Sequence, residues 1–427
     1  MKNTISEPPG RALLAKVNRR NNVISLPKNS ISPARPSRKE APYPLIYPSV
    51  DAMVHELRPE MPVYCLRPAT ITGMAKRFLK TFPGDVLYAV KTNPDPRVLK
   101  WLAMAGVQRF DVASLAEVKL VAGVLPAAQL YFMHPVKSRE AIAKAYHEYG
   151  VRDFSLDSHE ELAKILDVTH QATDLNLYVR LAISNDDAAY SLSGKFGVTP
   201  QQAVSLLPAV RNVASKLGVC FHVGSQCMDP EAYASAMDTV AALVAETGVK
   251  LDVLDIGGGF PSIYPGMLPP PLADYMKAVR KGLKAHPLFA GCEVLCEPGR
   301  ALVAEGGSTV ARVELRKGNA LYLNEGTYGS LFDAGHPGFV FPVKAIRTDG
   351  ALSGQLAEFS FFGPTCDSLD SMKGPFHLPE DIAEGDWIEI GQLGSYGVTM
   401  RTHFNGFQSD TVVEVADKPI LSVLGVN

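Results

Sequence analysis

The six cysteines (Cys65, Cys220, Cys227, Cys292, Cys296 and Cys366) contain no pair at the two-residue spacing of a zinc ribbon or dithiol redox motif. The sequence therefore offers no thiolate framework for a metal. Cys366 apart, the cysteines read as buried thiols of a reducing, cytoplasmic setting. Charge of one sign is also lacking: 42 Lys plus Arg face 44 Asp plus Glu, a formal net charge of -2. Such a neutral chain argues against nucleic acid as a main partner, because phosphate backbones select basic surfaces. No apolar run approaches the roughly 18 residues that span a bilayer, so no membrane partner is expected. The opening MKNTISEPPGRALLAKVNRRNN has no apolar core and is not expected to be a secretory signal. Neither a GxGxxG fingerprint nor a P-loop is present, so nucleotide binding gains little support.

What is present is a long alternation of short apolar runs and helical patterns. Residues 1–48 hold eight prolines and several basic residues, and read as a partly extended arm. From residue 49 to about 305, strand-like runs end near Lys91, Ser114, His134, Asp157, Arg180, Gly224, Gly257 and Glu297. Each gap between them is long enough for a helix; PDPRVLKWLAMAG, AEVKLVAGVL and DPEAYASAMDTVAALVAETG are plausible ones, the last starting at Asp229 and Pro230. Eight strand–helix units predict a (β/α)8 barrel, with an open doubly wound sheet as the alternative. Residues 306–427 change character. TVARVEL, ALYLNEG, FPVKAIR, LAEFSFFG, DWIEIGQ and the tail from Thr411 read as strands of a mostly β C-terminal domain. The stretch before about residue 60 is a candidate to pack on that domain.

Polar residues and glycines gather at the ends of the predicted barrel strands, the face where such barrels bind ligands. Lys91 follows the first strand. It either points to solvent or acts as a Schiff-base amine, which desolvation and neighbouring charge would free by lowering its pKa. Gly257, Gly258 and Gly259 form either a tight turn or a backbone cradle for phosphate. Gly299 and Arg300 offer a second phosphate contact at the eighth strand. Glu297 suits the partner of a positive ring nitrogen, and His222 is either a satisfied core histidine or a plate against that ring.

The motifs YAVKTNP, FDVAS-AE, FMHPVK, FSLDS, VRLA, SGKFG, FHVGSQ, DIGGGFP, EPGR, GPTCDSLD and GSYG follow in order over about residues 55–410. In this the chain resembles the pyridoxal-phosphate decarboxylases built on the alanine-racemase-like barrel, and among them most of all the ornithine decarboxylases. The resemblance implies pyridoxal 5'-phosphate as cofactor. Lys91 is then the lysine that holds it, and Asp111 the carboxylate assisting near that amine. Arg180 and Lys195 match basic positions of the family, Arg180 belonging to a charged lattice behind the cofactor. His222 matches the stacking histidine and Glu297 the partner of the pyridine nitrogen. Ser225, Gly259, Gly299, Arg300 and Tyr396 match the phosphate set. Cys366 matches the residue that returns a proton to the substrate carbon, and Asp367 a contact to the substrate's distal amine. Both would reach across the interface of a homodimer with shared sites. Asp333 is the best match to a second amine-binding aspartate, in a segment shorter than the family's.

The resemblance further implies a basic amino acid as substrate and a place in polyamine biosynthesis, with ornithine giving putrescine expected first and lysine second. Diaminopimelate decarboxylation is a rival, but that branch carries a GPxCESGD-like segment where this chain has GPTCDSLD. Arginine and carboxynorspermidine decarboxylation are further rivals. A racemase would set a tyrosine opposite Lys91, and the sequence has no such motif in place. A non-catalytic regulatory homologue is the rival of another class; the presence of Lys91, His222, Glu297 and Cys366 speaks against it. Lys91→Ala is expected to abolish turnover together with the long-wavelength absorbance of protein-bound cofactor. Normal turnover by that variant, measured as CO2 release, would overturn the role given to Lys91.

Overall fold

A computed structural model describes residues 46–183, 188–190 and 194–423. The arm up to residue 45, Ser193 of the SGKFG motif and the last four residues lie outside the described residues. Eight parallel strands close into a barrel in chain order: Asp85–Ala89, Arg109–Val112, Gln129–Phe132, Asp153–Leu156, Asn176–Arg180, Lys216–Cys220, Val253–Asp255 and Glu293–Cys296. The ring closes where Leu295 and Cys296 of the eighth strand pair with Asp85 and Val86 of the first. Every strand end read from the sequence belongs to one of these strands.

The chain folds this way because its strands are apolar on both faces. Outward residues such as Phe110, Phe154, Leu177 and Val219 pack on helix residues such as Val118, Ile165 and Val240. Inward residues Leu87, Tyr131, Met133, Tyr178, Cys220, Val253 and Leu295 fill the barrel floor, so the barrel is a packed core with room only at its mouth. Small polar residues start five of the barrel helices. Asp95, Ser114, Ser138, Ser158 and Thr199 all accept a hydrogen bond from the first turn of the helix they cap. Each such cap is worth about 1 kcal/mol. Asp229 accepts the amide of Glu231 at 2.9 Å and so starts the helix Glu231–Thr247.

The second sheet has nine strands. Along its main path run Ile46–Tyr47, Val412–Val415, Val63–Leu66, Gly307–Lys317, Ala320–Leu323, Leu356–Phe362 and Ser371–Pro379. Trp387–Ile390 pairs with Gly307–Lys317 and carries Val343–Ile346 on its far side. The helix Val50–Leu57 lies on this sheet through Val50, Met53 and Val54 against Cys65, Val310 and Trp387. Residues 46–66 thus pack with the C-terminal domain, and the barrel's own elements begin with the helix Pro68–Thr81 rather than at residue 49. Ser371–Pro379 is a strand that the sequence pattern does not announce, because Gly374 and Pro375 interrupt it. The tail from Thr411 is a strand only over Val412–Val415 and then turns into a short helix, Ile420–Val423.

Arg67 joins the two domains' elements at the point where the chain passes from sheet to barrel. Its guanidinium is buried. It donates to Glu389 at 2.6 Å, Ser308 at 2.9 Å and Asp417 at 3.0 Å. Arg67→Met would leave Glu389 buried without its counter-ion. A loss of about 3–5 kcal/mol of stability is expected, read as a lowered midpoint in urea denaturation; an unchanged midpoint would show that the network contributes nothing net.

Candidate active site

At the C-terminal ends of the barrel strands opens a cavity of ≈ 580 Å³. It gathers residues far apart in sequence: Lys91, Asp111, Arg180, Lys195, His222, Ser225, Gly259, Glu297, Gly299, Arg300, Asp333 and Tyr396. The first strand ends at Ala89, and the single turn Val90–Thr92 lifts Lys91 into the opening. That turn is tied to the C-terminal domain, since Tyr396 N donates to Thr92 O at 3.0 Å and the Asn93 side chain donates to Gly394 O at 2.9 Å.

Lys91 Nζ donates to Asp111 Oδ2 at 2.9 Å. Asp111 is buried, whereas the lysine reaches solvent through the cavity. Burial pulls the Lys91 pKa down, but the carboxylates of Asp111 and Glu297 outweigh it and hold the ammonium above its ordinary range. This corrects the expectation of a lowered pKa. The sequence marks a lysine at a barrel mouth but not that its nearest charges are acidic. His222 lies in the opposite regime. Burial, with Arg180 and Lys91 nearby, pushes it down to about 3, so its ring is neutral. Its Nδ1 accepts the amide of Gly224 at 3.0 Å, and the residue lines the cavity.

Glu297 stands at the end of the eighth strand and Asp255 at the end of the seventh. Burial and its carboxylate neighbours Asp255 and Asp111 hold Glu297 well above the carboxylate range. Asp255 was not marked by the sequence reading. Its signal was only its place before the three glycines, a polar residue closing an otherwise apolar strand. Of those glycines, Gly259 lines the cavity, whereas Gly257 and Gly258 do not. Their role is close packing. A Cβ on Gly257, whose φ is 69°, would lie 1.9 Å from Phe221 O, and one on Gly258 would lie 2.7 Å from Glu297 O.

Arg300 is buried and held in place by its own domain and the next: it donates to Tyr264 Oη at 2.7 Å and to Asp333 Oδ2 at 3.2 Å. Its guanidinium also lies 5.0 Å from the ring centre of Tyr396. Nε finds no acceptor. Asp333, the candidate second amine-binding aspartate, lines the cavity, and its Oδ2 also accepts from Arg300. Tyr264 had no sequence signal at all. Cys366 and Asp367 stand outside the cavity of their own chain. Cys366 is exposed, and its amide donates to Asn405 Oδ1 at 3.2 Å. Asp367 accepts from Tyr328 Oη at 2.5 Å.

These residues fit pyridoxal phosphate. The buried, unsatisfied Arg300 Nε beside Gly259 and Gly299 suits a phosphate oxygen. Glu297 is a buried carboxyl able to meet a ring N–H, neutral His222 offers a flat face, and Lys91 supplies the amine. Asp111→Asn would remove the nearest negative charge, so the Lys91 amine should titrate at lower pH. The onset of its acylation, followed by peptide mass spectrometry, is expected to fall by about one pH unit or more; an unmoved onset would deny Asp111 that control.

The family model "Pyridoxal-dependent decarboxylase, pyridoxal binding domain" matches residues 69–304. A lysine/ornithine decarboxylase of Selenomonas ruminantium is 33% identical over 345 residues, 79% of this chain and 84% of that one. An ornithine decarboxylase of Cricetulus griseus is 31% identical over 373 residues, 82% and 79%. Among solved structures, the lysine/ornithine decarboxylase of Vibrio vulnificus complexed with cadaverine superposes with a TM-score of 0.74 at 30% identity, over 86% of this chain and 95% of that one. The same Vibrio enzyme has been solved with putrescine. With barrel, lysine and its acidic partner in one cavity, the chain belongs to the pyridoxal-dependent decarboxylases of the ornithine, lysine and arginine group, and pyridoxal phosphate is its cofactor.

Proposed function

We propose that this protein decarboxylates basic amino acids and accepts both L-lysine and L-ornithine, releasing cadaverine or putrescine and CO2. The observation that carries this reading is the cavity itself, where the Lys91–Asp111 ion pair, buried Glu297 and the unsatisfied Arg300 Nε converge. The relatives named ornithine decarboxylase and lysine/ornithine decarboxylase support the substrate class, and the dual activity is better supported than the order of ornithine before lysine expected from the sequence. One methylene separates the two substrates, worth about 1–3 kcal/mol in a pocket.

Bound pyridoxal phosphate supplies a ring that takes up the electron pair left when CO2 departs. The chain's own groups do the rest. Arg300 with Gly259, Gly299, Ser225 and Tyr396 holds the phosphate, and His222 fixes the plane of the ring. Glu297 keeps a proton at the ring nitrogen. Lys91 presents the amine that holds the cofactor between turnovers, and Asp111 keeps that amine supplied with a proton. The substrate's distal ammonium needs a carboxylate, because a desolvated unpaired cation is costly; Asp367 from a second copy is that group. Cys366 beside it delivers a proton to the α-carbon. Asp333 serves the site through Arg300.

This reading requires a homodimer with shared sites. Lys91→Ala and Asp367→Ala subunits, each inactive alone, should regain activity when mixed, approaching about a quarter of the wild-type level for random pairing. No recovery would overturn the shared site. The substrate is tested by supplying the loaded enzyme with equal ornithine, lysine, arginine and diaminopimelate and analysing amines by mass spectrometry. Putrescine and cadaverine together are expected. Agmatine or lysine as main product would overturn the proposal, as would the absence of any new amine.

A further inference from the structure

The segment FMHPVK follows the third barrel strand, and none of its residues belongs to the groups that hold cofactor or substrate. It is nonetheless fixed from several sides. Lys137 is buried, and its ammonium donates to His134 O at 2.9 Å and to Ser155 O at 2.5 Å, with Glu161 Oε1 at 3.0 Å. The Lys137 amide donates to the same Glu161 oxygen at 3.1 Å. A buried cation thus ties the end of the third strand to the end of the fourth, and Pro135 restricts the backbone between them and the cavity. The side chain this arrangement holds still is His134, which lines the cavity beside Pro135. Its ring meets Phe196, another lining residue, edge to face, with centres 5.0 Å apart and planes at 72°. Its Nδ1 accepts the Val136 amide at 3.1 Å. A nitrogen that accepts carries no proton, so the proton of the ring is on Nε2. Among the described residues no acceptor meets Nε2. His134 therefore brings a fixed N–H donor to the cavity with nothing in the chain to receive it.

Pyridoxal phosphate supplies an acceptor on that side. Its phosphate arm and its ring oxygen stand on carbons on opposite sides of the axis that runs from the ring nitrogen to the carbon bearing the aldehyde. With the phosphate toward Ser225, Gly259, Gly299 and Arg300, at the ends of the sixth, seventh and eighth strands, the oxygen falls on the other side. The third strand ends there, opposite the seventh in the closed ring. We propose that His134 is a cofactor-binding residue, its Nε2–H donating to the negatively charged ring oxygen of pyridoxal phosphate. The proposal deepens the proposed function and rests on its placement of the phosphate. Burial, and then the charges of Lys137, Arg180 and Lys195, lower the His134 pKa, so the ring is neutral at working pH and Nδ1 stays free for the Val136 amide. A neutral imidazole gives the oxygen a hydrogen bond without giving up its proton. The oxygen thus keeps the negative charge on which the long-wavelength absorbance of the bound cofactor depends.

The test compares the wild type with His134→Phe and His134→Gln, each full-length, loaded with pyridoxal phosphate and read without substrate. Phe keeps a flat ring against Phe196 but has no donor, and the Gln amide restores one. In His134→Phe the cofactor dissociation constant should rise about tenfold. Its long-wavelength absorbance should give way in part to the short-wavelength form, in which the ring oxygen carries a proton. His134→Gln should recover most of both. Wild-type affinity or an unmoved spectrum in His134→Phe would overturn the proposal, as would a loss that His134→Gln does not recover at all, the mark of a merely structural role. A normal resting spectrum with a raised KM for the amino acid would also overturn it, since His134 would then serve the substrate carboxylate. If His134→Phe does not fold, His134→Ala, which removes the donor without adding bulk, decides by the same readouts. A phosphate held elsewhere would show separately, as unchanged cofactor affinity in Arg300→Gln. A wrong substrate class would alter the amine products of the wild type and leave these spectra as they are.

Discussion

The chemistry of this protein depends on the balance of buried charge at one end of a barrel. Three carboxyls and two cations are brought together by strand ends that are otherwise apolar, and such a cluster survives only if nearly every charge is answered. The backbone imposes the juxtaposition. Parallel strands deliver the residues after their last hydrogen-bonded pair to a common rim, and capped helix starts hold those residues there. Asp255, Glu297, Lys91 and Asp111 stand at four strands consecutive around the barrel, and Arg180 ends a fifth that Lys216–Cys220 separates from the strand of Asp255. A barrel can therefore hold a demanding electrostatic arrangement on its most rigid elements instead of on loops.

The second domain completes the rim. Tyr396 and Gly394 are hydrogen-bonded to the turn that carries Lys91, and Asp333 grips the guanidinium of Arg300. The loop bearing Cys366 and Asp367 is ordered by Tyr328 and Asn405 although it stands away from the cavity of its own chain. Its side chains are thus prearranged before they meet anything. The exposed Leu369, Phe404 and Phe407 add apolar surface in the same region.

Much of this was legible in the sequence, because the barrel repeats one simple pattern eight times and each repeat ends on a distinctive residue. Lys91, His222, the three glycines and Glu297 stand out by type and position. What escaped had physical reasons. Ser371–Pro379 hides its strand character behind Gly374 and Pro375, and its partner residues in Leu356–Phe362 supply the pattern it lacks. Tyr264 acts only through another side chain, Arg300, so nothing in its local sequence marks it. The raised pKa of Lys91 depends on which charges surround it in space, and no one-dimensional pattern carries that. Asp333 shows the same limit: its place beside the cavity was legible, its engagement with Arg300 was not.

The strand Val63–Leu66 lies between Val412–Val415 and Gly307–Lys317 in the second sheet. In chain order the whole barrel is thus an insertion between two neighbouring strands of the other domain. During synthesis Val63–Leu66 emerges first and waits through residues 67–306 for its first partner, a delay on the order of tens of seconds at ribosomal speed. Its final neighbour arrives near the very end. The barrel can close while this apolar strand is still unpaired, but the sheet cannot. A polypeptide stalled or truncated after the barrel would therefore expose a hydrophobic strand edge beside a cavity whose rim still lacks Asp333 and Tyr396.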